Sequence, residues 1–207
     1  MGNDPSEIDT LVAEYQSGNA GALEKLFTAV RPRLQQMVSL RIGAQLQARL
    51  DPSDVLQEAY LDAEQKIGRY LQQPTVSSFV WLRGVTFDRL AKLQRQHLGT
   101  QGRAVARECR LPENSSGHLA QHLVARTETA SAVLSRKEVH RQLQLAIDGL
   151  SDEDREVILM RHFEELTNLE VAEALGIKPT TATMRHGRAL ARLKKQLSKQ
   201  SAFGDMA

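Results

Sequence analysis

Between Leu150 and Leu197 the chain spells two short helices, a turn at Gly176 and a third helix whose basic and apolar residues fall on separate stripes. That order is the pattern of a helix-turn-helix. Thr167-Asn168-Leu169-Glu170 sets a hydroxyl three residues before a carboxylate, so each side chain can satisfy an orphan amide near the other's backbone. A helix start at Thr167 is therefore predicted. Ala172 is small enough to let a second helix cross closely, and Gly176, four residues on, can take the positive φ of a sharp turn. Ile177 is expected to plug the angle between the helices. Pro179 suits a first helical turn, where its missing N–H has no partner to lose. The helix it opens is expected to reach about Leu197.

On that last helix, steps of three or four residues connect Thr181, Arg185, Arg188, Arg192 and Lys195 along one face. Ala182, Ala189, Leu190, Leu193 and Leu197 are expected on the packing face. From Lys178 to Lys199 there are seven basic residues and no acidic one, which suits a polyanion. Arg can read guanine bidentately in the major groove, whereas Lys chiefly neutralises phosphate. A solvated basic face is the bland alternative, and the Ala-Gly-Pro spacing favours DNA contact over it.

With 207 residues, 41% of them hydrophobic, the chain can build one large core or two small ones. Only 4% is aromatic, and many 3.6-residue periods stand against few β-branched alternations, so an all-α fold is expected: two small helical domains joined by a linker. The net charge of +2 hides segregation, since residues 71–110 alone carry seven basic and two acidic side chains. Two basic zones separated by acidic or neutral surface suggest two contacts with one polyanion and a protein-facing surface. Cys109 stands alone and no apolar run resembles a leader or membrane span, so a reducing cytoplasm and no membrane insertion are expected. His118 and His122 share a helical face but lack a third ligand in register. No metal site and no cofactor is expected.

In the N-terminal half, Ile8, Leu11, Val12 and Tyr15 mark a short helix ending near Gly18. A second, from about Asn19, uses Leu23, Leu26, Phe27, Val30, Leu34, Met37, Val38 and Ile42, with Pro32 a place for a kink. Asp51-Pro52-Ser53-Asp54 joins a cap, a first-turn proline and an acid at the positive helix end, so a third helix starts there. Val55, Ala59, Ala63 and Ile67 are expected inward. Asp54, Gln57, Glu58 and Leu61 form the neighbouring stripe, which from the residues alone is either solvated or a docking face. Leu71 to Ser78 reads as a loop ending in capping residues. The next helix has Phe79, Leu82, Thr86, Leu90 and Leu93 as its apolar face and Arg83, Arg89, Lys92 and Arg95 projecting charge. Trp81 can pack in the core or hold an unstacked base, since aromatic faces and nearby hydroxyls suit single strands.

Residues 99–135 lack a sustained apolar stripe and contain Gly99, Gly102, Pro112 and Asn114-Ser115-Ser116-Gly117, a linker pattern with partial helix near Arg103–Arg110 and from His118. A flexible linker raises the effective concentration of a second contact once the first has formed. Val139, Leu143, Ala146, Ile147 and Leu150 then mark one helix. Ser151, with Asp154 three residues on, caps another.

Asp51-Pro52-Ser53-Asp54-Val55-Leu56-Gln57-Glu58-Ala59-Tyr60-Leu61, Phe79-Val80-Trp81-Leu82, Leu150-Ser151-Asp152-Glu153-Asp154-Arg155-Glu156-Val157-Ile158-Leu159 and Val171-Ala172-Glu173-Ala174-Leu175-Gly176-Ile177 together resemble bacterial RNA polymerase sigma factors of the extracytoplasmic-function group, small sigma-70 relatives. The resemblance covers most of residues 8–98 and 136–197. It implies a region 2-like domain over 1–98, a linker over 99–135, a region 4-like domain over 136–198 and a tail over 199–207. Asp54, Gln57, Glu58 and Leu61 would dock on core RNA polymerase. The loop Leu71 to Ser78 would capture a flipped base of the minus-10 element, with Thr75, Ser77, Ser78 and Trp81 near it and Arg83, Lys92 and Arg95 tracking the non-template strand. Thr180, Thr181, Arg185, Arg188, Arg192 and Lys195 would meet the minus-35 element. Asp88 and Lys92 depart from the family's usual Asn and Asp. Lys178-Pro179-Thr180-Thr181-Ala182 departs from its frequent Ser-x-Gly-Thr-Val, and Gly187 lowers helix propensity by about 1 kcal/mol relative to Ala.

The expected function is a dissociable initiation factor with no covalent chemistry of its own: it docks on polymerase, aligns two DNA-binding modules and holds opened promoter DNA. An anti-sigma protein is a further expected partner. The alternative is a helix-turn-helix regulator that binds duplex DNA without polymerase. A nucleic-acid enzyme lacks support, since no acidic metal cluster, phosphate-binding glycine loop or nucleophile-base pair is evident.

Overall fold

The computed structural model describes residues 5–19, 21–42, 49–98 and 133–204, and these contain eight α-helices and no strand. The protein is all-α. It divides into two compact units, one built chiefly from the N-terminal half and one chiefly from the C-terminal half. Cys109, His118, His122 and the partial helices expected near 103–110 and from 118 lie outside the described residues.

The first unit holds α1 (Pro5–Gln16), α2 (Gly21–Arg41), α3 (Pro52–Gln72) and α4 (Ser78–Leu98). α1 stops because Gly18 adopts φ +100 while its N–H reaches Tyr15 O and the Asn19 N–H reaches Glu14 O, which closes the last carbonyls. α2 runs uninterrupted through Pro32. The proline side chain lies on the exposed side, and the helix is held from the other by buried Leu23, Leu26, Phe27, Val30, Leu34, Met37 and Val38. α3 begins where the sequence places it: the Asp51 carboxylate accepts from Ser53 N–H at 2.7 Å, with Pro52 in the first turn.

Val55, Ala59, Ala63 and Ile67 are buried, so α3 meets α2 and α4 along one stripe. Phe27 meets Tyr60 edge to face at 5.4 Å across α2 and α3. Phe79, Leu82, Thr86, Leu90 and Leu93 of α4 are buried as expected. Arg41, fully buried, was not expected in this core. It donates to Met37 O, lies 5.6 Å from the Phe87 ring centre, and its own carbonyl accepts from Gln94 Nε2 at 2.9 Å.

The C-terminal half holds α5 (Val133–Asp148), α6 (Asp152–His162), α7 (Asn168–Leu175) and α8 (Pro179–Gly204). α5 begins three residues before the boundary expected at 136. Ser151 caps α6 by accepting from Asp154 N–H, in the register the sequence predicts. Ala146, Ile147, Leu150, Val157, Ile158, Leu159, Phe163, Leu166, Val171, Ala182 and Ala189 form the core.

Two helix ends differ from expectation. α3 continues to Gln72, so the loop expected from Leu71 spans only Gln73–Ser77, and α8 runs past Leu197 to Gly204, through most of the expected tail. Gln73, just past α3, is no glycine, and no glycine or proline follows Leu197 until Gly204, so local composition marks these ends poorly. No helix among the described residues is long and apolar enough to cross a membrane.

Candidate nucleic-acid interface

The helix-turn-helix is assembled from local hydrogen bonds that its sequence dictates. Thr167 N–H donates to Glu170 Oε2 at 2.7 Å and Glu170 N–H to Thr167 Oγ1 at 3.2 Å, the reciprocal pair expected of that tetrapeptide. At the other end of α7, Gly176 takes φ +63, its N–H reaches Glu173 O, and the Ile177 N–H reaches Ala172 O at 2.9 Å. Asn168 Nδ2 then donates to Pro179 O at 3.0 Å, clasping the start of α7 to the start of α8. Ala172 is buried at the crossing, whereas Ile177 is half-buried.

On α8 the cationic stripe is presented unevenly. Thr180, Arg188 and Lys195 are exposed, while Thr181 and Arg185 are half-buried. Arg192 is also exposed, but its guanidinium pairs with the carboxylate of buried Asp154 in the first turn of α6. It therefore ties α8 to α6 as well as adding charge. Leu190 departs from expectation, being 38% exposed. The packing stripe runs Ala182, His186, Ala189, Leu193, at steps of four, three and four, and Leu190 lies roughly seventy degrees from its centre.

His186 is the residue this stripe conceals from a hydrophobicity reading. Its Nε2 lies 2.9 Å from His162 Nε2 at the end of α6, with ring centres 5.0 Å apart. Burial holds the His186 imidazole below its ordinary pKa, and the neighbouring His162 and Arg161 push it the same way.

In the first unit, Thr75 and Ser77 of the short loop are exposed, and Ser78 is buried at the start of α4. Trp81 is half-buried, and one face of its indole stacks on Tyr70 at 4.5 Å and 14°. It thus packs, with that face closed to a base. Arg83 corrects the expectation that it projects: it is buried, with its guanidinium 5.9 Å from the Phe87 ring centre. Arg89 is likewise drawn in, bonding both oxygens of Asp62 and the Glu58 carboxylate. The hydrogen bond from Arg89 is the main reason the Asp62 carboxyl sits below its usual range. Lys92 and Arg95 remain exposed, although Arg95 Nε turns back to Ala91 O at 3.2 Å. Helical periodicity locates these cations on a face; it does not reveal which of them a neighbouring helix neutralises.

The α3 stripe is also split. Asp54, Gln57 and Leu61 are exposed, Leu61 by 54%, whereas Glu58 is half-buried against Arg89. Gln57 and Leu61 form one side of a groove of about 560 Å³, whose other wall is Glu24, Phe27, Thr28 and Arg31 from α2. That opposing wall was not anticipated, because no sequence pattern pairs α2 with the α3 stripe. No group of three or more His, Cys, Asp or Glu side chains comes together as a metal site among the described residues.

Residues 140–193, from within α5 to within α8, match the Sigma-70, region 4 family. Across 200 residues, 97% of this chain and 87% of the relative, the sequence is 26% identical to the ECF RNA polymerase sigma factor SigD of Mycobacterium tuberculosis, and equally to that of Mycobacterium bovis. A solved structure of CnrH in complex with the cytosolic domain of CnrY shares the fold, with a TM-score of 0.55, 21% identity, and coverage of 95% of this chain and 99% of that one.

Proposed function

We infer the role of this chain from the family to which it belongs, the extracytoplasmic-function group of sigma-70 factors. It binds core RNA polymerase, directs it to particular promoters and assists their opening. The observation that carries this reading is the helix-turn-helix itself: an outward cationic stripe on α8, set by a capping box and a glycine turn, lying inside the region 4 match. A free duplex-binding regulator would need no more than that unit. The 97% coverage by sigma-factor relatives supports a role for the first unit as well.

In that role, Asp54, Gln57, Glu58 and Leu61 dock on polymerase. Leu61 supplies the apolar anchor, and exposed Asp54 and Gln57 supply polar pairing beside the α2–α3 groove. Thr180, Thr181, Arg185, Arg188, Arg192 and Lys195 meet the minus-35 duplex. The loop with Thr75, Ser77, Ser78 and Trp81 takes a minus-10 base, and Lys92 and Arg95 follow the backbone, with buried Arg83 holding the helix behind them. Opening costs a few kcal/mol per unstacked step, which captured bases and polymerase contacts together offset. An anti-sigma partner is supported by CnrH, solved with the cytosolic domain of CnrY bound.

The test is association with core polymerase, measured for the wild type and for Asp54→Ala and Gln57→Ala. Tight binding weakened at least tenfold by either change is expected. Tight operator binding by the isolated protein, with no affinity for polymerase, would instead identify a free regulator.

A further inference from the structure

We propose that Tyr70 is a positioning residue for the loop Gln73–Ser77, fixing by its hydroxyl and its ring the geometry in which that loop receives an unstacked base. This rests on the minus-10 role given above to Thr75 and Ser77. Tyr70 stands in the last turn of α3, and its carbonyl accepts the Gln73 N–H that ends the helix. Its hydroxyl reaches across the loop to donate to Val76 O at 2.8 Å and lies 3.4 Å from Ser78 Oγ. Its ring lies on Trp81, one turn into α4, at 4.5 Å and 14°. A single side chain thus joins the end of one helix, the far side of the loop and the start of the next helix.

The physical consequence is preorganisation. Fixing a loop residue costs roughly 1–2 kcal/mol of backbone entropy. If Val76 is held before the base arrives, that ordering is not charged to base capture. Apparent affinity falls in proportion to the fraction of protein in the competent geometry, so loosening the strap weakens capture without altering any atom that touches the base. The stack acts in the same direction by fixing the plane of Trp81 and covering one of its faces.

Tyr70→Phe separates the two functions, because it keeps the stacked ring and removes the hydroxyl. Holoenzyme reconstituted with this variant is to be compared with wild type on promoters carrying 2-aminopurine in the minus-10 non-template strand, and on promoters with single-base changes there. A net hydrogen bond of about 0.5–1.5 kcal/mol corresponds to a roughly two- to twelvefold loss. That loss is expected in base unstacking and in discrimination among minus-10 bases. Core polymerase affinity and minus-35 duplex affinity should stay close to wild type.

Thr75→Ala and Ser77→Ala, measured alongside, separate the strap from the loop's own role. If these reduce discrimination while Tyr70→Phe matches wild type, the loop reads DNA without the strap and the proposal is overturned. If all three match wild type, the minus-10 reading of the loop fails and the strap has nothing to position. A parallel fall in polymerase affinity for Tyr70→Phe would make the residue a general packing group and would equally overturn it.

Discussion

At the scale of single residues, exposure and partnership divide cations that look alike along the chain. Arg188 is exposed on the outer stripe of α8 and Arg185 is half-buried beside it, whereas Arg192 is claimed by Asp154. Arg185→Ala and Arg188→Ala are therefore expected to weaken minus-35 duplex binding while leaving polymerase affinity intact. The salt dependence should flatten by about 0.9 log unit for each phosphate left without its cation. Unchanged affinity in a filter-binding or anisotropy titration would remove both from the interface. Arg192→Ala should add a small loss of stability, up to about 1 kcal/mol, because its ion pair is largely solvated on the arginine side.

Arg89 belongs to the opposite class. It is half-buried and bonded to Asp62 and Glu58, so Arg89→Ala is expected to destabilise the first unit by roughly 1–3 kcal/mol in denaturant unfolding. A change within error would show that the ion pairs contribute nothing net. The positions of Arg83 and Arg89 on α4 were legible in the sequence, but their burial was not. For Arg89 it depends on two carboxylates of α3, whose approach no spacing within α4 reveals; Phe87, beside Arg83, stands four residues on along α4 itself.

At the scale of elements, the starts were read more accurately than the ends. Asp51, Ser151 and Thr167 each cap the helix the sequence assigns to them, because a cap is a bond between near neighbours. Gly176 marks its turn for the same reason. Ala in its place would have to hold φ +63, so Gly176→Ala should cost about 1–2 kcal/mol and lower duplex affinity by disturbing the approach of α8. A thermal melt unchanged by that substitution would contradict the turn's role. The His162–His186 contact between α6 and α8 is an element-scale property that no local pattern announced. The charged groups acting on His186 among the described residues are His162 and Arg161, both from α6. With the folded pKa of His186 depressed, the unfolded chain binds more protons at mildly acid pH. Stability of the second unit is therefore fully present above the ordinary imidazole value near 6.5 and falls as pH drops through the lowered folded value. Urea unfolding of the protein from pH 8 to pH 5 should show this decline. His186→Gln should flatten it, and a parallel decline in both proteins would place its origin elsewhere.

At the scale of the whole molecule, helical periodicity, a scarcity of aromatics and the order of the motifs were enough to read an all-α chain of two helical units. What remained illegible is tertiary: buried Arg41, the Tyr70–Trp81 stack, and the groove in which α2 residues face Gln57 and Leu61. Each arises where two helices meet, and the last two border the surfaces proposed for DNA and for polymerase.

The proposed role is one in which the factor confers activity that neither it nor core polymerase has alone. Run-off transcription by core polymerase with this chain, on a library of promoter templates, measures that directly. Discrete transcripts from a subset of templates, abolished by Asp54→Ala or Arg188→Ala, are the predicted result. A holoenzyme that fails to assemble, or assembles and starts no transcript from any template, would contradict it.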